Sequence, residues 1–562
     1  MFRVFIIFLL LALPTLACAD STPDLQKALT DSAFLPDLDA NIRVELDGFY
    51  AQRGYRPAWN LSDDDEIKKT TAFLDSIEAL VTYHGLIKSS FHIPEMRKLA
   101  GSLKSGADRQ KLEVMITESL LRLAHALHGD DVNLDQLYTG WNFHRQPADL
   151  PAQLAMALND NKLEAFYDRL SPQNPAYREL ARILQDYRAI ETHGNWPHID
   201  SGPPLLPGDY GPRVTQLRAR LAAEGYLGLQ VMQPPTPAPA LTDLPINAPD
   251  VMAPPAPSND GDALDAIIDK ALILYQTRNG LSPDGHAGGK TLEALNMPLA
   301  ARIAQIRANM ERWRHMPEDF PTDRYTLINI PDFSVTIVDN GAMVYRGIVI
   351  DGKPDRQTPF IDSKIVNMVV DPPWNVPAKI ARKDILPKLR KDRHYLEKLG
   401  FVIAGRTEDP TGASIDWKDM DDADFNYQLR QSPGDLNSLG KLKFNFANPF
   451  DVYMHGTPHQ ELFAKAERDF SSGCVRLEDP VRVGEILLGY NKDKGGWTED
   501  RINSEIDAGK THWVILAKPM PIYFLYWSVF TTEDGEANFR NDIYGYDSQL
   551  MEEMKNNAVF GP

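Results

Sequence analysis

Only two cysteines occur in 562 residues, Cys18 and Cys474. That is too few for the disulfide framework that staples small secreted domains. Positive charge is also short: 59 Lys and Arg stand against 78 Asp and Glu, a formal net charge of -19. No nucleic-acid partner is expected, because phosphate binding needs a basic surface. Long apolar runs are missing too. The best candidate, 4–13, is about ten residues and too short for an ordinary membrane helix, so no transmembrane span is expected.

That short run has a different use. Arg3 precedes it, Pro14 breaks it, and Ala17-Cys18-Ala19 before Asp20 fits a small-x-small cleavage site. The reading is a signal peptide over 1–19 and an exported, periplasmic protein. A lipid-modified Cys18 is the alternative reading of the same residues. Cleavage removes Cys18 and leaves Cys474 alone in an oxidising compartment. A lone thiol there is either buried as a small hydrophobe or kept for its reactivity.

With 562 residues, three or four units are expected. The fold class read from the pattern is multidomain α+β. Residues 20–200 read as a helical scaffold domain, because 73–81, 112–127 and 180–190 carry apolar residues at helical spacing. A second unit covers 203–297. In it, Val214, Leu217 and Leu221 form a helical stripe ending at Gly225-Tyr226, and Tyr275-Gln276 leads into Gly280-Leu281 and Asp284-Gly285. A Pro-rich insertion at about 232–260 separates its halves. A connecting helix follows at 300–317, with Ile303, Ile306, Met310 and Trp313 on one face. From 323 the period changes to strand, and Asp339-Asn340-Gly341 is a hairpin turn. This mostly-β domain spans 323–520. It is interrupted at about 374–427 by an insertion whose stretch 380–399 reads as a basic helix. Its cations Lys379, Arg382, Lys383, Lys388, Arg390, Lys391 and Arg393 suggest recruitment of an anionic substrate strand. Residues 521–562 form a C-terminal extension of β character.

The chemistry is concentrated in two strings. Tyr453-Met454-His455-Gly456-Thr457-Pro458 reads as a strand entering a turn, and Ser471-Ser472-Gly473-Cys474-Val475-Arg476 follows. A thiol of ordinary pKa is only a few per cent ionised at neutral pH, and a neighbouring imidazole can take its proton. His455 is the candidate base for Cys474. Backbone N–H groups around Ser472, Gly473 and Cys474 could hold an oxyanion. Tyr453 shares the strand face of His455 and could add a hydrogen bond. Arg476 could grip a carboxylate. Gly456 has no side chain to orient His455, so a backbone carbonyl must do so. A rival reading takes His455, His459, Asp469 and Cys474 as zinc ligands of a peptidoglycan peptidase. Gly456 and Pro458 argue against a helical His pair there. A second rival is a non-catalytic wall-binding scaffold.

Taken whole, His-Gly-Thr-Pro followed by Ser-Ser-Gly-Cys-Val-Arg resembles the signature of YkuD-type L,D-transpeptidases. Residues 309–313, Gly352-Lys353-Pro354, Arg356-Gln357-Thr358-Pro359, Trp374-Asn375-Val376-Pro377, 430–434, 437–440 and Lys443-Phe444 are similar to the larger YcbB-type branch. Residues 203–297 resemble a small peptidoglycan-binding domain. The resemblance implies an acyltransferase acting on peptidoglycan stem peptides and glycan strands, with Cys474 as nucleophile, His455 as base, and no cofactor or metal. It implies release of D-alanine from tetrapeptide stems, 3→3 cross-links, acylation by carbapenems, and association with other wall-synthesis proteins. Many relatives carry His where this chain has Ser472, so that His cannot be essential here.

Overall fold

The computed structural model describes residues 22–31, 34, 38, 40–227, 264–492, 495–532 and 535–557. The leader 1–19 and the Pro-rich tract lie outside the described residues. The chain divides into two compact units. The described parts of Met1–Leu137, Phe143–Phe320 and Ser528–Pro562 form one, and Tyr138–Asn142 with Pro321–Trp527 form the other.

The first unit is mainly helical. The stretches 73–81, 112–127 and 180–190 lie inside helices Asp64–Tyr83, Gly106–His128 and Pro175–Thr192. Gly106–His128 starts from a capping box, in which Ser105 and Asp108 satisfy each other's backbone N–H groups. It ends at Gly129, where φ is +84° and a Cβ would meet the Arg314 carbonyl oxygen at 2.6 Å. This helix is buried on nearly every side. Its Glu113 is therefore paired, accepting from the Tyr50 hydroxyl at 2.9 Å and the Ala58 N–H at 2.6 Å.

Helices Pro212–Ala223, Ala266–Arg278 and Gly289–Leu295 enclose a separate small core of Val214, Leu217, Leu221, Ile268, Leu272, Tyr275 and Leu295. Gln276 fixes the turn beside it, donating to Asp284 at 2.7 Å and accepting from the Gly285 N–H. Helix Leu299–Arg314 buries the expected Ile303, Ile306, Met310 and Trp313, and also Asn309, Glu311, Arg312 and Arg314. An apolar stripe cannot announce buried charges, which enter a core only with partners. Arg312 has one in Asp547 at 2.6 Å. Asp547 belongs to the C-terminal helix Tyr546–Asn557, so the tail is not the purely β appendage that the pattern suggested.

The second unit is built on a nine-stranded sheet. In chain order, strands β1 (Tyr325–Asn329), β2 (Ser334–Asp339), β3 (Ala342–Gly352) and β4 (Ile361–Val370) come first. The insertion contributes β5 (Trp374–Asn375), β6 (Phe401–Ile403) and β7 (Leu429–Gln431). Then come β8 (Leu442–Phe446), β9 (Met454–His455), β10 (Asp469–Ser471), β11 (Val475–Leu477) and β12 (His512–Leu525). The order is β10-β3-β11-β9-β8-β4-β12-β1-β2, and β2 also pairs with β3. The sheet closes because β3 is long enough to pair with β2 along its first half and with β11 along its second. Asn340 and Gly341 take positive φ in the β2–β3 hairpin, as Asp-Asn-Gly requires. The extension expected from 521 begins later, since 521–524 still pair with β4 inside β12 and Leu525 pairs with β1.

The insertion leaves at Val370 and returns at Leu442, residues paired across β4 and β8. It has its own core, including Val376, Leu386, Leu389, Phe401, Trp417, Phe425 and Leu429, and its own three-stranded sheet β5-β7-β6. The helix read over 380–399 is broken here. Ala378–Ile380, a π turn Ala381–Ile385, Leu386–Leu389 and Tyr395–Lys398 replace it. Pro387 offers no N–H to a continuous helix. Four of the cations are used internally: Arg382 donates to the Phe425 carbonyl, Lys388 to the Tyr395 hydroxyl, Arg390 to the Met420 carbonyl, and Arg393 to that of Ala413.

Candidate active site

Strands β8, β9 and β11 lie side by side in the sheet. Arg476 is level with His455, Val475 with Met454, and Lys443 with His455. Residues level across neighbouring strands point to one face, and so do alternate residues along a strand. One step back along β9 and β11, Cys474 is level with Tyr453, and the Val475 N–H donates to the Tyr453 carbonyl at 3.2 Å. Lys443, Tyr453, His455, Cys474 and Arg476 therefore crowd one patch of one sheet face. The opposite residues Phe444, Met454 and Val475 are fully buried in the core.

Each side chain is tied into the patch. The Tyr453 hydroxyl lies beside the side chains of Cys474 and Trp374, of which the sulfur raises its pKa and Trp374 lowers it, while the Cys474 Sγ lies 4.0 Å from the Asp451 carbonyl oxygen. Lys443 Nζ sits 3.7 Å from the centre of the Tyr453 ring. His455 is buried, and its Nδ1–H donates to the Gly456 carbonyl at 2.5 Å. Gly456 thus orients the imidazole through its backbone, and Nε2 is left as the basic nitrogen. The Arg476 Nε is buried with no hydrogen-bond partner among the described residues.

Electrostatics set the resting protonation. Burial pushes the Cys474 thiol up, while the Tyr453 hydrogen bonds and the Lys443 and Arg476 cations pull it back. Burial, aided by the same two cations, lowers His455 to about 3. Burial also lowers Lys443 and Arg476, and the sulfur opposes it in both. A neutral imidazole and a protonated thiol are the ground state at neutral pH. The two cations favour any negative charge that develops on the sulfur.

The loop before Cys474 is held from outside. Gly473 has φ of +111°, a conformation that costs any other residue strain. Its N–H donates to Ser471 Oγ at 3.1 Å, and its carbonyl accepts from Thr358 Oγ1 at 3.1 Å. The Gly473 N–H is thus occupied, which removes it from the set of oxyanion donors suggested by the sequence. The exposed Ser472 accepts from Arg356 at 3.0 Å. Arg356 also grips Asp384 of the insertion with both terminal nitrogens, one of them at 2.8 Å.

The rival zinc set is not gathered. His459 is exposed and lies 3.4 Å from Glu461, while Asp469 is level with Asp351 in β10. Among the described residues, no three His, Cys, Asp or Glu side chains form a group that could hold a metal. Sequence reasoning missed Lys443, Trp374 and Arg356 as parts of the site. The alternation Lys443-Phe444-Asn445-Phe446 placed Lys443 off the core, but nothing local said which strand would be its neighbour.

Two stretches of the chain match known protein domains. Residues 44–184 match a scaffold domain, and residues 323–488 match an L,D-transpeptidase catalytic domain of the YkuD family. A Haemophilus influenzae protein assigned as an L,D-transpeptidase is 35% identical over 278 residues, 48% of this chain. The matched stretch spans 54% of that relative's length. Residues 323–488 thus carry the likeness to the YkuD L,D-transpeptidase catalytic domain, behind residues 44–184, which carry the likeness to a scaffold domain.

Proposed function

We propose that this protein is an exported, periplasmic L,D-transpeptidase that forms 3→3 peptidoglycan cross-links through an acyl-enzyme on Cys474. The observation that carries the reading is the patch of Tyr453, His455, Cys474 and Arg476 on one sheet face. As the thiol attacks the carbonyl of the third stem residue, its proton passes to His455 Nε2. A C–S bond forms, the C–N bond to D-alanine breaks, and the proton from His455 leaves with the amine. The Ser472 and Cys474 N–H groups, neither paired among the described residues, are the backbone donors left for the oxyanion. Arg476 and Lys443 favour the charge on sulfur and can pair a stem carboxylate. An amine of a second stem then attacks the thioester, forming the new amide and returning the thiol. The helical unit at 203–297 serves as a peptidoglycan-binding domain that holds the enzyme on glycan strands. Carbapenems acylate the same sulfur.

The test is intact-protein mass spectrometry after mixing with a disaccharide-tetrapeptide. A covalent adduct lacking one D-alanine, absent in Cys474→Ala, supports the proposal. An adduct that survives Cys474→Ala, or activity lost to a chelator and not to a thiol alkylator, refutes it.

A further inference from the structure

The sheet face that carries the thiol does not end at Lys443. Register continues it across two more strands. Lys443 is level with Val369 on β4, and Val369 with Trp513 on β12. One step away from the insertion, Asn445 is level with Asn367, and Asn367 with Ile515. The Asn445 Nδ2 donates to the Asn367 Oδ1 at 2.8 Å, as side chains on one face should. Beyond the two amides the face opens to solvent: Trp513 is 61% exposed and Ile515 65%. Both lie near the start of β12 where it pairs with β4, alternating with the buried Val514 and Leu516. Large apolar side chains at such positions gain nothing from folding and are candidates for contact with a partner.

We propose that Asn445, Asn367, Trp513 and Ile515 form the seat of the acceptor stem peptide, the second substrate whose amine resolves the acyl-enzyme. The inference rests on the transpeptidase reading above, and three observations select this occupant. The first is continuity. Tyr453, level with Cys474, is itself level with Asn445, so the strip begins at the sulfur. The second is length. Four strand spacings of about 4.8 Å separate β11 from β12, roughly 19 Å. A four-residue stem extends about 14 Å, and its long amino side chain adds the remainder. The third is chemistry. Each amide of the Asn pair spends one group on the other, which leaves an Asn367 NH2 and an Asn445 carbonyl oxygen for the backbone of a peptide lying across them. Lys443 on the strip, and the exposed Lys364 one residue before the buried Ile365, offer charge to stem carboxylates.

The insertion rises from the Val370–Leu442 end of β4 and β8, whereas Asn367, Asn445 and Ile515 lie toward the other end. Its Trp374 acts on the Tyr453 phenol, so the insertion adjoins the patch from its own side. Donor and acceptor then approach one sulfur from two directions. The amine nitrogen attacks the thioester carbonyl, the C–N bond forms, the C–S bond breaks, and the amine proton returns to sulfur through His455.

The test separates the two half-reactions with the full chain. Acylation is read as D-alanine release and adduct mass with disaccharide-tetrapeptide alone. Transfer is read as dimer formation when a second tripeptide stem is added. Trp513→Ala and Ile515→Glu, both at exposed positions, should lower transfer by about tenfold more than acylation, chiefly through KM for the acceptor. Quenching of tryptophan fluorescence by tripeptide stem in Cys474→Ala should disappear when Trp513→Ala is added. Equal loss of both half-reactions, or transfer as fast as wild type, overturns the acceptor seat. A wild-type chain that forms no adduct removes the transpeptidase reading itself, and the acceptor seat with it.

Discussion

At the residue scale, His455 and Cys474 do not start as an ion pair. Burial holds the thiol above its usual range and the imidazole down to about 3, so both are neutral at physiological pH. Proton transfer must then accompany attack, and the pH dependence should show it. Between pH 7 and 9 the thiolate fraction of a raised thiol grows with pH and does not level off. Alkylation of Cys474 by iodoacetamide in the free enzyme should therefore climb by about tenfold per pH unit across that window. His455 contributes no acid limb above about pH 4. A rate already flat at pH 7 would mean a preformed thiolate and would contradict a neutral resting pair. Tyr453 is the other residue with a defined part. It lies beside the sulfur and favours the thiolate, and Tyr453→Phe removes its hydroxyl without emptying the space.

At the scale of elements, the Cys474 loop is fastened to the insertion. Arg356 joins Ser472 Oγ to Asp384, and Thr358 joins the Gly352 N–H to the Gly473 carbonyl. The segment 353–359 therefore transmits the position of the insertion to the loop that carries Cys474. The Arg356–Asp384 pair is part-buried and bidentate, so it is worth more than an exposed pair, about 1–2 kcal/mol. Asp384→Asn should lower kcat/KM by roughly five- to thirtyfold and raise hydrogen exchange in 376–429, with Tm little changed. Arg356→Lys should restore less than half of what Arg356→Ala loses, because an ammonium cannot hold the carboxylate and Ser472 together. Unchanged exchange in 376–429 would show that the pair does not fasten the insertion.

At the scale of the whole chain, much of the architecture could be read from spacing and turns. The helices of the first unit, the change to strand period near 323, the Asp339-Asn340-Gly341 hairpin and the Cys474 loop are all local patterns. What could not be read is set by distant partners. Lys443 becomes part of the site because β8 pairs with β9, and Trp513 joins that face because β12 pairs with β4. The basic stretch at 380–399 looks like one helix until Pro387 and the carbonyls of Phe425, Met420 and Ala413 divide it. The tail looks β-like until Asp547 supplies the partner that buried Arg312 needs.

The central claim is acyl transfer through Cys474 from the third residue of one stem to an amine of another. Tandem mass spectrometry of the products from purified disaccharide-tetrapeptide tests it most directly. The account predicts dimers that have lost one D-alanine and are bridged between the two third residues, with none from Cys474→Ala. Dimers bridged through a fourth-position D-alanine, or third-residue bridges made equally by Cys474→Ala, would contradict it.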